Sequence, residues 1–189
     1  MPTPAAHGLA GYALVLFFDH RFARTRSGNL FALLTGAVFG SLADADFIVA
    51  ALTTSPMWQH HYFSHSIPFA LGTIPLCFLL FRTSRFRPFV KKSQCVWRFA
   101  CMLGAVYSTH LLLDYFTQDS SIPVGIPLFW PFSHDHFIAP VEIFYSIHRG
   151  SVENLFGPHN RTAFLRELAV MAPVALIAYV IARARKEKC

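Results

Sequence analysis

The apolar stretch FACMLGAVYSTHLLLDYFT, residues 99–117, decides the fold because it is long and apolar enough for one membrane-embedded helix of about 20 residues. It contains two ionisable side chains, His110 and Asp114, which are separated by three leucines. Residues four apart on a helix project from the same face, about one turn apart. Such side chains are costly in a bilayer or a protein core unless they are paired or bind a metal. The pair therefore predicts metal ligands within an apolar helix.

The composition is too apolar for an ordinary soluble domain. Of the 189 residues, 54% are hydrophobic and 14% are charged. We therefore predict a single all-α domain, residues 1–189, built as an integral membrane bundle of about five membrane-embedded helices. The apolar stretches are residues 5–18, 30–52, 67–81, 99–117 and 165–182. The second and fourth are long enough to cross a bilayer, whereas the other three are short.

Basic residues mark alternate connections between these stretches, which predicts the topology. The positive-inside rule places the basic connections in the cytoplasm and the N-terminus outside. The net charge of +6 is then explained by topology and anionic lipid, so no nucleic-acid partner is expected. The basic groups are Arg21, Arg24 and Arg26; Arg82, Arg85, Arg87, Lys91, Lys92 and Arg98; and Arg183, Arg185, Lys186 and Lys188, against Arg149, Arg161 and Arg166 on the other side.

Two aspartates, Asp44 and Asp46, lie in the outward half of the second stretch, with no Arg or Lys close to them in the sequence. Neutral or arginine-paired carboxylates are the alternative to a functional site. On a regular helix the two side chains point about 200° apart, so both reach one site only if the helix breaks or their roles differ. We predict Asp44 as a metal ligand, Asp46 as a residue that supports a ligand or acts as a base, and one of the two as the catalytic general base.

Histidines cluster in the loop that follows, where residues 58–66 read WQHHYFSHS. An aromatic membrane interface would explain the Trp, Tyr and Phe residues but not the imidazoles. We therefore predict His60 and His65 as metal ligands and leave a contribution from His61 open.

A further candidate, His7, lies near the start of the first stretch, where a helix cap or an interfacial position is the alternative. The predicted topology places it on the same outer side as Asp44, His65 and His110. His134 and His136, in a loop rich in proline and aromatic residues, stay open as additional ligands.

The ordered set of these residues resembles a bacterial inner-membrane family of metal-dependent hydrolases, whose members include LexA-regulated proteins. The resemblance runs from His7 to about His136, and it departs from the family pattern at two places. The usual His-Arg-Gly-x-Thr-His-Ser reads HHYFSHS at residues 60–66, and the proline common before the first aspartate is Ala43. The motifs are His7, Asp44-Ala45-Asp46, His60-x4-His65-Ser66, His110-x3-Asp114-x2-Thr117 and LFWPFS at residues 128–133.

That family is distantly similar to zinc-dependent phospholipase C and the P1-type nucleases, which are all-α phosphodiesterases. The resemblance implies a phospholipase C-like core with one or two metal ions, since the second helical His-x3-Asp or His-x3-Glu pair of the soluble enzymes is not found. The ligands it implies are His7, Asp44, His65, His110 and Asp114.

The chemistry of these ligands suits a divalent metal. Imidazole and carboxylate groups favour zinc, with manganese or iron as alternatives. We predict a hydrolase in the bacterial inner membrane, crossing it several times, that uses metal-activated water on a phosphodiester or other ester. An outward-facing site predicts an amphiphilic substrate, such as a lipid or an envelope intermediate. A metal or proton transporter and a non-catalytic membrane scaffold stay open as alternatives.

Overall fold

The computed structural model describes residues 1–46, 62–83, 95–119, 123–148 and 152–185. Within these ranges the chain is helical, as the sequence predicts, with two isolated β-bridges in place of strands. Short 3-10 turns and one helical turn, Val152–Leu155, connect five helices. The helices are α1 (Pro4–Phe18), α2 (Arg26–Gly40), α3 (Ile67–Arg82), α4 (Val96–Tyr115) and α5 (Pro158–Ala184); the 3-10 turns are His20–Arg24, Leu42–Ala45 and Phe63–His65.

Helix α1 lies at the centre of the bundle, where it packs against α2, α4 and α5, while α3 packs on α4. The approach of α1 and α2 depends on Gly36, because a Cβ built there would lie 2.3 Å from the Tyr12 backbone nitrogen. Small residues let two helix backbones come this close in a membrane bundle. Gly36 therefore permits the close contact between α1 and α2.

The predicted lengths of two helices are wrong. The stretch 30–52 does not form one long helix: α2 starts at the Thr25 cap, which accepts from Gly28 N at 3.0 Å, and ends at Gly40. The described chain then continues as the 3-10 turn Leu42–Ala45. The last stretch, predicted to be short, belongs to the 27-residue helix α5. An apolar run marks where side chains can be buried, whereas caps and packing decide where a helix ends.

Two described segments are long and apolar enough to cross a membrane, Val96–Tyr115 and Glu153–Ala184, whereas α1 and α3 are shorter apolar helices. The sequence predicts about five membrane-embedded helices. By length and composition, the described residues support only two membrane crossings. Helix α5 exposes apolar side chains such as Leu176 (61% exposed). A helix that is apolar also on its outer face is typical of a membrane environment.

The bundle has two polar ends that differ in chemistry. At one end, which we call the basic end, Arg98 of α4 donates to the Phe18 carbonyl at the end of α1, and Arg24 donates to the Arg185 carbonyl after α5. The opposite end brings together the start of α1, the end of α2 and the end of α4. The candidate site residues lie there. The side of the membrane that each end faces stays a prediction.

Candidate metal centre

The opposite end of the bundle brings together five predicted ligands from four elements. Helix α4 contributes His110 and Asp114, α1 contributes His7, and the two 3-10 turns contribute Asp44 and His65. The three imidazoles are fully buried, Asp114 is 5% exposed, and the Asp44 side chain is 15% exposed. The predicted ligand His60, with His61, lies outside the described residues.

Four donor atoms converge on one point between α4 and the turns. His110 Nε2 lies 3.1 Å from His65 Nε2 and 3.1 Å from Asp114 Oδ2, and His65 Nε2 lies 3.4 Å from Asp114 Oδ2. Asp44 Oδ1 is 3.6 Å from His110 Nε2 and 3.9 Å from His65 Nε2. Ligand atoms at about 2.0–2.1 Å from a tetrahedral zinc ion lie about 3.3 Å apart. The three distances among His65 Nε2, His110 Nε2 and Asp114 Oδ2 therefore fit one zinc-sized ion, and Asp44 Oδ1 lies next to them.

The hydrogen bonds of the two histidines indicate which ring nitrogens face the cluster as lone pairs. His110 Nδ1 donates to the Gly40 carbonyl at 2.8 Å, so its Nε2 carries no proton in the neutral ring. His65 Nδ1 lies 3.3 Å from Asp46 Oδ2 and 3.0 Å from Ser64 Oγ. A proton on His65 Nδ1 satisfies both oxygens and leaves its Nε2 bare as well. Two lone pairs facing each other at 3.1 Å repel unless a cation or proton lies between them.

His7 and Asp114 form a second, overlapping group with His110. The His7 ring stacks on the His110 ring with centroids 3.9 Å apart, and His7 Nε2 lies 3.7 Å from Asp114 Oδ1. His7, His110 and Asp114 make one set of potential ligands, and Asp44, His65 and His110 make the other. Because His110 belongs to both sets, the geometry has room for one ion or two neighbouring ions.

Unsatisfied buried atoms in the cluster test whether a cation fits. Among the described residues, neither ring nitrogen of His7 and neither carboxylate oxygen of Asp114 has a hydrogen-bond partner. The groups within 4 Å of the Asp114 carboxylate are imidazoles, those of His7, His65 and His110. An ionised carboxylate buried without a hydrogen bond is strongly destabilising, whereas a bound divalent ion would satisfy it and the imidazoles together. The donor set therefore fits a divalent cation.

The second aspartate, Asp46, lies outside this convergence point, on the far side of His65. Its Oδ2 accepts from Ser64 Oγ at 3.0 Å and faces His65 Nδ1. Asp44 and Asp46 take these different places because α2 ends at Gly40, so the two side chains are not spaced as on one regular helix. Asp46 is thus placed to orient His65, as carboxylates beside metal-bound histidines commonly do.

Three further residues position the cluster, and the sequence analysis assigned none of them a role in the site. Tyr107 donates from its hydroxyl to the Ser64 carbonyl at 2.6 Å, which holds the His65 turn against α4. Gly40 packs so closely on α1 that an added Cβ would lie 2.5 Å from the His7 carbonyl oxygen. Glu167 of α5, 1% exposed, accepts from Thr3 N at 2.9 Å and so fixes the segment before His7. A signal existed for Tyr107, since it lies three residues before His110 on the same helix face.

The two loop histidines left open by the sequence lie apart from the cluster. His134 is exposed, and His136 Nδ1 is 3.1 Å from the His134 carbonyl rather than near a carboxylate of the centre. The loop packs instead against the start of α3, where the Leu128 carbonyl accepts from Ile67 N at 2.9 Å.

A cleft of about 730 Å³ adjoins the cluster at Asp44, its most exposed member. The cleft runs along the first turns of α5 and includes residues of the segment before α1. Its lining is largely apolar, with Asp44 at one wall and the cation Arg161 at another. Clefts of this size and composition are typical of small-molecule sites.

Comparison with known proteins gives one family assignment. The model of the family described as YdjM inner membrane protein matches residues 1–187, so the chain belongs to this family. No curated protein and no solved structure matches. The match confirms the predicted inner-membrane family, whereas hydrolysis, zinc and a phospholipase C-like core stay predictions.

Proposed function

We propose that this member of the YdjM inner membrane protein family is a metal-dependent hydrolase that cleaves a phosphodiester or another ester. The observation that carries the proposal is the convergence of two buried imidazole nitrogens and two carboxylates beside an apolar cleft. A buried carboxylate with a purely structural role normally accepts hydrogen bonds, whereas the buried oxygens of Asp114 accept none within the described residues. Unsatisfied buried ionisable groups next to a cleft favour a catalytic site.

The residues divide the work of such a site. His65, His110 and Asp114 would hold one ion with a position left open for water beside Asp44, and His7 with Asp114 would contribute to a second. A bound divalent ion supplies Lewis acidity, which makes water nucleophilic near neutral pH and polarises an ester. Zinc suits the mixed imidazole and carboxylate set, and manganese or iron are the alternatives.

Asp44 is the better placed of the two candidate bases. Its side chain is 15% exposed and lines the cleft, so it can accept a proton from an incoming water molecule. Asp46 is 6% exposed and is already engaged by Ser64, which leaves it to orient His65. We therefore assign proton transfer to Asp44 and positioning to Asp46.

The test is His110→Ala in the full chain, purified in detergent and supplied with zinc. Because His110 belongs to both potential ligand sets, we expect the variant to lose its bound metal, which elemental analysis measures. We also expect hydrolysis of a panel of phosphodiester and carboxylic ester lipids to fall at least a hundredfold. That fall corresponds to a loss of about 2.7 kcal/mol or more in transition-state stabilisation. Full metal content in the folded variant would contradict the proposal.

The transporter alternative predicts a different result. A transit pathway needs ionisable groups that continue towards the basic end. Among the described residues, the buried polar side chains of the bundle interior between the cluster and that end include Thr35, Thr73 and Tyr12, and none of these is a carboxylate or an imidazole. Metal or proton flux into liposomes without hydrolysis would favour transport over the proposed chemistry. A scaffold would show neither hydrolysis nor flux.

A further inference from the structure

The cleft beside Asp44 has apolar walls that are exposed rather than filled by the described chain. Phe156 is 71% exposed, Leu155 is 46% exposed and Phe164 is 40% exposed, and all three line the cleft. Exposed apolar surface that is contiguous and concave is typical of a binding site. The chemistry of the walls indicates a hydrocarbon occupant.

One cation, Arg161, lines the same cleft. Within the described part of the chain, no carboxylate pairs with its guanidinium, and the residue is exposed. Arg166, little more than one turn further along α5, differs in this respect. It lies over the Tyr145 ring at 4.2 Å and donates to the Glu142 carbonyl at 3.1 Å. Arg161 therefore has its donors available for a ligand, whereas those of Arg166 are engaged.

We propose that this cleft binds a phosphate-bearing lipid, with the phosphate at Arg161 and one acyl chain against Leu155, Phe156 and Phe164. The inference rests on the proposed function in one respect, since it names the substrate class of that site. A guanidinium fork matches the oxygens of a phosphate, which favours phosphate over a neutral headgroup. Asp44 at the same cleft places the headgroup beside the candidate metal centre.

The cleft accounts for both parts of such a ligand. Hydrocarbon burial supplies affinity without direction, whereas the Arg161 guanidinium orients the headgroup end. A free phosphate would use Arg161 alone, and an uncharged lipid would use the apolar walls alone. Binding of a phospholipid therefore depends on both features, and each can be removed separately.

The experiment is native mass spectrometry of the full chain in detergent with a metal chelator, titrated with lysophosphatidic acid. Two matched probes remove one feature each: monoacylglycerol lacks the phosphate, and glycerol phosphate lacks the chain. We expect Arg161→Gln to weaken lysophosphatidic acid binding about tenfold and to leave monoacylglycerol binding unchanged. Arg166→Gln, which removes the same charge little more than one turn away, serves as the control and should bind like the unmodified chain.

The apolar wall is tested by Phe164→Ser, which should weaken both acylated probes several-fold. Phe132→Ser, at an 86% exposed aromatic residue that does not line the cleft, is its control. Equal binding of lysophosphatidic acid by Arg161→Gln and the unmodified chain would overturn the inference, as would glycerol phosphate binding as tightly as lysophosphatidic acid. Because the chelator removes metal, this binding experiment tests the lipid site separately from hydrolysis. Lipid binding by a chain that does not hydrolyse the lipid panel in zinc would overturn the proposed function only.

Discussion

The two polar ends of the bundle satisfy their charged groups in opposite ways. At the basic end, arginines donate to backbone carbonyls and Arg21 pairs with Asp19 through two 2.8 Å hydrogen bonds. The Arg21 side chain is 39% exposed although Asp19 is buried, so water reaches the guanidinium of this pair. At the other end, the carboxylate of Asp114 and the ring of His7 are buried, and their polar atoms lack hydrogen bonds within the described residues.

This difference indicates that the basic end has a structural role, and it favours a ligand site at the other end. Ion pairs that water can reach contribute little to stability. Arginines at helix ends donate hydrogen bonds to carbonyls that have no partner within the helix. A buried group without a partner is retained against its cost when it has another role. We therefore expect the basic end to support the helix ends, and the histidine and aspartate end to bind a ligand.

The largest expected effect contrasts one aspartate from each end. Asp114→Asn should lower zinc affinity more than about a hundredfold, because partners that only support a metal ligand already account for 10–100-fold. Asp19→Asn, which removes the Arg21 ion pair, should leave the zinc content unchanged. Elemental analysis and zinc titration of the two purified proteins measure this. Equal zinc content in both variants would erase the distinction between the ends.

A second contrast uses two glycines in tight contacts. A Cβ at Gly40 would lie 2.5 Å from the His7 carbonyl oxygen, and one at Gly28 would lie 2.7 Å from the Phe22 carbonyl oxygen. We expect each Gly→Ala substitution to lower the free energy of unfolding by about 1–3 kcal/mol, as overpacking does. Denaturation in detergent measures the loss.

The same two variants should differ in metal binding. Gly40 accepts from His110 and packs on His7, so Gly40→Ala should also weaken zinc binding, whereas Gly28→Ala should not. If Gly28→Ala weakened zinc binding to the same extent, the two ends would be coupled rather than separate.

The smallest expected effect concerns Asp46. Asp46→Asn keeps an oxygen that can accept from Ser64 or His65, so we expect about a tenfold loss of zinc affinity, near the lower limit for such supporting residues. Asp135→Asn is the matched control, since Asp135 also accepts from a serine, Ser133, at 2.8 Å but is exposed. Zinc titration would count against a positioning role if the two variants behaved alike.

Residue types and spacing were enough to predict much of the candidate site. His110 and Asp114 are four apart on a helix, and this local geometry holds wherever the helix packs. His7, Asp44 and His65 were also predicted, and the structure brings them to the same pair, although their roles as ligands stay predictions. Tyr107, Gly40 and Glu167 were not assigned to the site, because an ordinary tyrosine, glycine or glutamate signals no role until its partner is known.

Helix boundaries could be predicted only in part. The stretches 5–18 and 67–81 nearly coincide with α1 and α3, because proline near the first turn and polar residues bound them on the chain itself. At the end of α2, Gly40 packs against His7, thirty-three residues earlier, and no local pattern records this contact. The polar first turns of α5 were missed for a similar reason, since Asn160 is held by the His148 and Asn154 carbonyls.

The sequence by itself determined the helical class, the apolar character and the residues able to bind a metal, because these follow from side-chain chemistry and local spacing. Only the packed helices show that α2 ends before Asp44, that His65 Nε2 and His110 Nε2 lie 3.1 Å apart, and that Arg161 lines the same cleft as Asp44. Those features depend on contacts between residues far apart in the chain, and such contacts arise only when the helices pack.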